Sequence, residues 1–264
     1  MTPSQTDIDA RIQTYYGDTF DESVRLTTRS AQGPLEFRRT QELIRTHVPV
    51  GRVLDIGGGS GVHAVALQRD GYEVELVEPV PRHVESAVAL GVKARIGDAR
   101  ELPFEADSFD AALMLGPLYH LATLEDRLAA ISEATRVVRP GGMVLAAGLS
   151  RYVAFGAASL GRDIPSPIPG EWAALIADGT PGSGMQFPAG HFHTAEELQS
   201  EVEAAGLEVL EVVGVEGPAG LFLEMARDLD QDVQDAAMLI ACAASAERGI
   251  RDQSAHLLAI ARVP

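Results

Sequence analysis

Apolar residues along the chain gather in short runs, separated by longer stretches in which they recur at helical spacing. The pattern is clearest over residues 53–78. Val53, Leu54 and Ile56 make a short apolar run of the kind a fully buried parallel strand requires. A helix is predicted over about 60–70, stopping at Gly71, a natural left-handed cap. A second strand over 72–77 carries Glu78 at its carboxyl end. The alternation then repeats. A helix opens on Pro81, which suits a first helical turn, and stops at Gly91. Strands are predicted over 92–96 and 111–115. The helix over 123–138 is opened by Thr123 with Asp126 and carries Leu124, Leu128, Ile131, Thr135 and Val138 on one stripe. Pro140-Gly141-Gly142 turns the chain into a strand over 143–148, and Thr194 with Glu197 forms the capping box of a helix to Ala205. A strand over 207–215, a helix over 227–248 and a last strand over 256–263 complete the chain. Two further helices, over 9–17 and 35–47, precede the first strand, the second with Leu35, Leu43 and Ile44 as its buried positions. Seven strands alternating with helices predict an α/β fold with a doubly wound, mostly parallel, Rossmann-like sheet.

Composition narrows the possibilities. A chain of 264 residues sits near the upper limit for one hydrophobic core, so one domain with an insertion is expected. Thirty-eight acids against 21 bases leave a net charge of −17, which repels phosphate backbones and argues against nucleic acid as a partner. The single cysteine, Cys242, supports neither a disulfide framework nor a zinc cluster. The first ten residues hold two acids and no base, unlike a signal peptide, and the longest apolar run, 236–244, is far too short to span a bilayer. A soluble cytoplasmic protein with no membrane partner is expected. The stripe Leu229, Val233, Ala236, Ala237, Ile240 and Ala244 of the 227–248 helix packs either on the body of the domain or across a homodimer.

The chemistry concentrates at residues 55–61. Gly57, Gly58, Gly59 and Gly61 let the backbone take positive φ and let a ligand approach without meeting a Cβ. A dinucleotide fingerprint would need glycine where Val62 stands. The spacing is instead Asp55-x-Gly57-x-Gly59-x-Gly61, with Glu78 twenty-one residues after Gly57, where a βαβ unit projects an acid toward a ribose. This resembles motif I of the class I S-adenosylmethionine (SAM) methyltransferases. Further phrases resemble that family in order: Gly33-Pro34-Leu35-Glu36-Phe37-Arg38-Arg39-Thr40, Gly97-Asp98-Ala99, Leu102-Pro103-Phe104 with Asp107-Ser108-Phe109-Asp110 before an apolar strand, and Val137-Val138-Arg139-Pro140-Gly141-Gly142. The resemblance implies an antiparallel last strand and SAM as cofactor. It implies that Gly57, Gly59 and Gly61 admit the methionine part, that Glu78 with Pro79 beside it holds the ribose, and that Asp98 and Ala99 meet the adenine edge. Leu115 would offer its carbonyl to the amino group. Tyr16 and Arg38, together with Tyr15, Arg25 and Arg29, are candidates for the methionine end or the substrate. It also implies an N-terminal helical lid (1–50), a SAM-binding core (51–149) and a C-terminal part of the core (194–264); the Gly- and Pro-rich stretch 150–193, which breaks the alternation, is expected to be a cap insertion over the cleft, with a mobile linker as the alternative.

The loop Gly116-Pro117-Leu118-Tyr119-His120-Leu121 ends the fourth strand, which the resemblance places beside the transferable methyl. The Asn/Asp-Pro-Pro-Tyr motif of nucleic-acid and protein-glutamine methyltransferases is absent there. His120 is the first candidate for a catalytic base, followed by His193 and His191; Tyr119 and Trp172 are candidates to line the substrate pocket. His191 and His193 point the same way if the segment is extended and could bind a metal, but no third ligand is evident nearby and no metal is expected. The resulting expectation is methyl transfer to an O or N nucleophile of a small molecule. The alternatives are a non-catalytic SAM-binding partner subunit, or an RNA or protein methyltransferase.

Overall fold

Val53 to Ile56 of β1 (Arg52–Ile56) are all buried, so this strand must lie inside a sheet covered on both faces. The computed structural model describes residues 4–19, 22–154, 170–182, 185, 187–226 and 230–264. The other strands are β2 (Glu73–Glu78), β3 (Lys93–Ile96), β4 (Phe109–Met114), β5 (Val138–Leu149), β6 (Glu208–Gly214) and β7 (His256–Arg262). They form one seven-stranded sheet in the order β3-β2-β1-β4-β5-β7-β6. β1 to β5 pair in parallel, whereas β7 runs antiparallel to both β5 and β6. The expected fold class is therefore observed, antiparallel last strand included. The order in which strands are added reverses between β1 and β4, which makes their carboxyl ends the natural ligand crevice.

Neighbouring residues of each inner strand feed opposite cores, as the pleat demands. Leu54, Phe109, Met114 and Val144 pack with Ile131 and Leu198 on one face. Val53, Leu76, Leu113 and Leu145 pack with Leu67 and Ile44 on the other. The helices supplying these side chains are α3 (Gln32–His47), α4 (Val62–Arg69), α6 (Leu124–Val137) and α8 (Ala195–Ala204), with α5 (Pro81–Ala89) beside α4.

The N-terminal region begins earlier than the sequence pattern suggests. α1 (Gln5–Thr14) is opened by a Ser4–Asp7 capping box, then runs into a π-helical turn over Tyr15–Thr19. α2 (Glu22–Arg25) follows. Ile8 and Ile12 of α1 bury against Val80, while Ala31 and Leu35 pack on Leu223, Ala237 and Met238. Leu223 belongs to α9 (Gly220–Met225), a short helix hidden in the Gly-Pro-Ala-Gly phrase that leads into it. β5 starts at Val138, before the Pro-Gly-Gly turn, because Val138 already pairs with Phe109. Of the expected cap insertion, residues 155–169, 183, 184 and 186 lie outside the described residues; residues 151–154 and α7 (Gly170–Asp178) are helical. Residues 227–229 of the expected 227–248 helix also lie outside them, and α10 spans Gln231–Ala244. No helix among the described residues is long and apolar enough to cross a membrane.

Candidate active site

The glycine loop is tight for a structural reason. Gly57 has φ +69°, and a Cβ there would sit 2.9 Å from the Pro117 ring; a Cβ on Gly58 would fall 2.4 Å from Asp55 Oδ2. Side chains are excluded from both positions, leaving a backbone cradle at the end of β1. Glu78, at the end of β2, braces this cradle. Its Oε2 accepts from the Gly59 amide at 3.1 Å and its Oε1 from the Val80 amide at 3.0 Å. Asp55 lies beneath the loop with neither oxygen partnered among the described residues. Burial, with the nearby charge of Glu78, pushes its carboxyl up to about 7.

A cavity of about 280 Å³ opens over these strand ends. It is walled by Gly57 and Gly59 from the β1 loop, Glu78 and Pro79 after β2, Asp98 and Ala99 after β3, and Leu115 and Tyr119 after β4. Asp9, Ile12 and Gln13 of α1 and Glu36 and Thr40 of α3 line the same space, so the N-terminal helices roof it. At the rim after β3, burial would raise the Asp98 carboxyl, but hydrogen bonds and charge from Arg100 hold it below its usual range. Arg100 meets Asp98 at 2.6 Å, Asp126 of α6 at 3.1 Å and Asp9 of α1 at 3.3 Å, tying the roof to the sheet edge.

Tyr16 and His120 meet on the wall beside Tyr119. The His120 ring stacks edge-on with Tyr16 and with Tyr119, and the Tyr119 hydroxyl donates to the Leu115 carbonyl at 3.2 Å. His120 Nδ1 faces the Pro188 carbonyl at 2.8 Å and must donate to it, so Nε2, 3.2 Å from the Tyr16 hydroxyl, is the acceptor. Burial pulls this imidazole down to about 4, so it is neutral at physiological pH.

The far end of the cavity gathers Arg25, a sequence candidate, with three residues that sequence patterning missed: Glu36, His63 and His256. Glu36 accepts from Arg25 at 2.7 and 2.9 Å, and His256 Nδ1 binds the fully buried Glu216. Burial draws His63 down to about 4; it also disfavours charge on His256, but Glu36 and Glu216 raise that imidazole to about 9. His256 opens an apolar strand and Glu216 follows another, so no local spacing links them.

Other sequence candidates fall elsewhere. Gly61, at φ +83°, is the N-cap of α4, and a Cβ there would press on Ala87. Arg38 is an exposed partner of Asp235 at 2.7 Å. Trp172 sits half-buried on α7 and is not among the cavity-lining residues. His191 and His193 are buried away from the cavity lining, and here the structure adds the third group that was not evident from sequence: Glu201, whose Oε2 lies 3.2 Å from His193 Nε2. Arg127 holds both Glu201 oxygens at 2.7 to 3.0 Å, and its fixed positive charge opposes a cation at that trio.

A family model described as a methyltransferase domain matches residues 54–146. The ubiquinone biosynthesis O-methyltransferase of Methylobacterium nodulans is 30% identical over 183 residues, covering 67% of this chain and 68% of that protein. The probable tRNA methyltransferase 9B of Mus musculus is 32% identical over 108 residues, 40% of this chain; the match spans only 24% of that relative's length. Among solved structures, a SAM-dependent methyltransferase of Thermotoga maritima, described as a possible histamine N-methyltransferase, superposes with a TM-score of 0.65. It is 21% identical, with 97% of this chain and 99% of that one covered, a likeness of fold.

Proposed function

The chain belongs to the class I SAM-dependent methyltransferases, and from that premise we propose that it methylates an O or N nucleophile of a small molecule. The observation carrying the substrate reading is the roof: α1 and α3 line the same cavity as the glycine loop, so an acceptor must fit beneath them. The net charge of −17 works in the same direction, against a polyanionic acceptor.

The cradle fits the cofactor: Gly57 and Gly58, packed too closely on Pro117 and Asp55 to carry side chains, present bare backbone to the cavity, and Glu78 borders it. Gly57 and Gly59 would receive the methionine part and Glu78 with Pro79 the ribose. Asp98 and Ala99 would face the adenine, and the Leu115 carbonyl, which also accepts from Tyr119, would face the amino group. When bound, SAM supplies an electrophilic methyl on a sulfonium cation. What the protein adds is alignment and exclusion of water, worth roughly 7–11 kcal/mol of barrier in well-oriented systems. Tyr16, Tyr119 and His120 form an aromatic wall suited to a cation. His120, neutral and hydrogen-bonded through both ring nitrogens, positions Tyr16 in that wall.

The relative named for tRNA supports a second reading, methylation of RNA. One experiment separates the two: tritiated SAM offered with total tRNA, and separately with a protein-free ultrafiltrate of host-cell extract. Label is expected in an extractable small molecule. Label in tRNA alone would overturn the small-molecule reading.

A further inference from the structure

Glu216 is wholly buried, yet both its oxygens serve one residue: Oε1 accepts from His256 Nδ1 and Oε2 from the His256 backbone amide at 3.0 Å. Gln32 adds a third contact, Nε2 to Oε1 at 3.3 Å. The arrangement fixes the imidazole with hydrogen on Nδ1. The other nitrogen, Nε2, has no hydrogen-bond partner among the described residues, and His256 lines the cavity. Its ring lies 6.3 Å from that of Tyr119, the residue bonded to the Leu115 carbonyl. His120, by contrast, has both nitrogens engaged.

We propose that His256 is the catalytic base of the methyl transfer, accepting the acceptor's proton on Nε2, with Glu216 as its positioning residue. This rests on the small-molecule reading above. The acceptor's O–H or N–H lone pair forms the new bond to the methyl carbon. The methyl–sulfur bond breaks with its electron pair left on sulfur. The O–H or N–H pair stays on the acceptor atom while the proton passes to the Nε2 lone pair. The resulting imidazolium is balanced by Glu216 and loses its proton to water once product leaves.

The groups facing His256 are Glu216 after β6, Glu36 on α3 with its Arg25 partner from α2, and His63 on α4. The two carboxylates outweigh burial and favour the protonated ring, up to about 9. A base held protonated at neutral pH works better as pH rises, so methyl transfer should climb through the mildly alkaline range. Glu216→Gln removes one of the two raising charges and should move that rise to lower pH.

The test uses the full chain with S-adenosylhomocysteine for binding, and tritiated SAM with the protein-free ultrafiltrate for turnover. His256→Asn should lower turnover about 100-fold or more while S-adenosylhomocysteine affinity stays within about threefold. In ¹⁵N imidazole spectra of the product complex, His256 Nε2 should titrate while Nδ1 keeps its proton, and Glu216→Gln should shift that titration acidward together with the rate profile. A His256→Asn enzyme that keeps wild-type turnover, or a rate profile that Glu216→Gln does not move, overturns the dyad. Loss of turnover on chelation with EDTA, restored by Mn²⁺, would reassign Glu36, Glu216 and His256 as cation ligands and overturn it too. No label in any small molecule, with product binding intact, would instead refute the small-molecule reading on which the dyad stands.

Discussion

Glu78 braces the glycine loop and is proposed to hold the ribose as well. Its two oxygens accept from the Gly59 and Val80 amides, but an ionised carboxylate offers about four lone-pair sites, so two remain for a ribose diol. Removing the side chain would strand two backbone amides as well as the ligand. Glu78→Gln is the cleaner substitution, since the carboxamide oxygen keeps one amide partner and only charge and one acceptor are lost. Charge-assisted hydrogen bonds contribute about 1.5–3 kcal/mol, so calorimetry with S-adenosylhomocysteine should show affinity falling about 10- to 150-fold. Unchanged affinity would place the ribose elsewhere. The position of this residue was legible in sequence because it is local: a strand end, at fixed distance from a glycine loop. Glu216 and His256 were not. They stand 40 positions apart and are joined by the pairing of β6 with β7 alone, and a histidine heading an apolar strand looks like any boundary residue. Arg38 shows the converse error, a charge in a family-like phrase that the fold turns outward to Asp235.

Among the elements, the inner strands and the helices α4, α5, α6 and α8 were readable because period, cap and punctuation agree. Thr194 and Glu197 form the reciprocal capping box their spacing suggests, and Thr123 caps α6. Elements were missed where tertiary contact overrides local pattern. α9 follows directly on a Gly-Pro-Ala-Gly phrase and is held by Leu223 packing against Leu35 and Met238. α1 is a weak helix alone, fastened by long-range bonds: Gln5 Nε2 to the His120 carbonyl at 3.1 Å, Gln13 Nε2 to the Pro79 carbonyl at 2.8 Å, and Asp9 to Arg100 at 3.3 Å. Arg100 is the hub, because it also holds Asp98 and Asp126. Arg100→Ala should therefore loosen the roof more than the sheet. Amide exchange over Gln5–Thr14 is expected to accelerate about tenfold or more, as opening of a marginal element becomes easier, with β1 and β4 unaffected. Bound S-adenosylhomocysteine should dissociate faster in stopped-flow measurements. Uniform exchange changes across the sheet would contradict a latch confined to α1.

At the scale of the whole molecule, buried titratable groups set opposing slopes of stability against pH. Burial pulls His63 and His120 down to about 4 and, with His193 nearby, His191 to about 3. An unfolded chain protonates these imidazoles near 6.5 and the folded one does not, so each contributes stability that is lost as pH falls from about 6.5 toward 4. Glu201 behaves alike at lower pH: burial raises it, but His193 and Arg127 outweigh that and hold it near 2, so its contribution disappears below about 4.5. Asp55 opposes them. At about 7 it keeps a proton that the unfolded chain has released, so its contribution declines between about 4 and 7. His256, raised by its carboxylates to about 9, supplies stability below about 6.5 that fades as pH climbs through 9. Between pH 4 and 6, three imidazole protons gained on unfolding against one lost from Asp55 leave a net uptake of about two. Above pH 7 the balance reverses to a release of about one, from His256. Thermal melts of the ligand-free protein should thus peak between about pH 6 and 7, falling steeply on the acid side and gently on the alkaline side. Asp55→Asn should lift the alkaline side relative to wild type while leaving melts near pH 4 unchanged, since the wild-type carboxyl is already neutral there. A peak above pH 9, or an Asp55→Asn difference that does not grow between pH 5 and 8, would mean that these groups are hydrated in the folded chain.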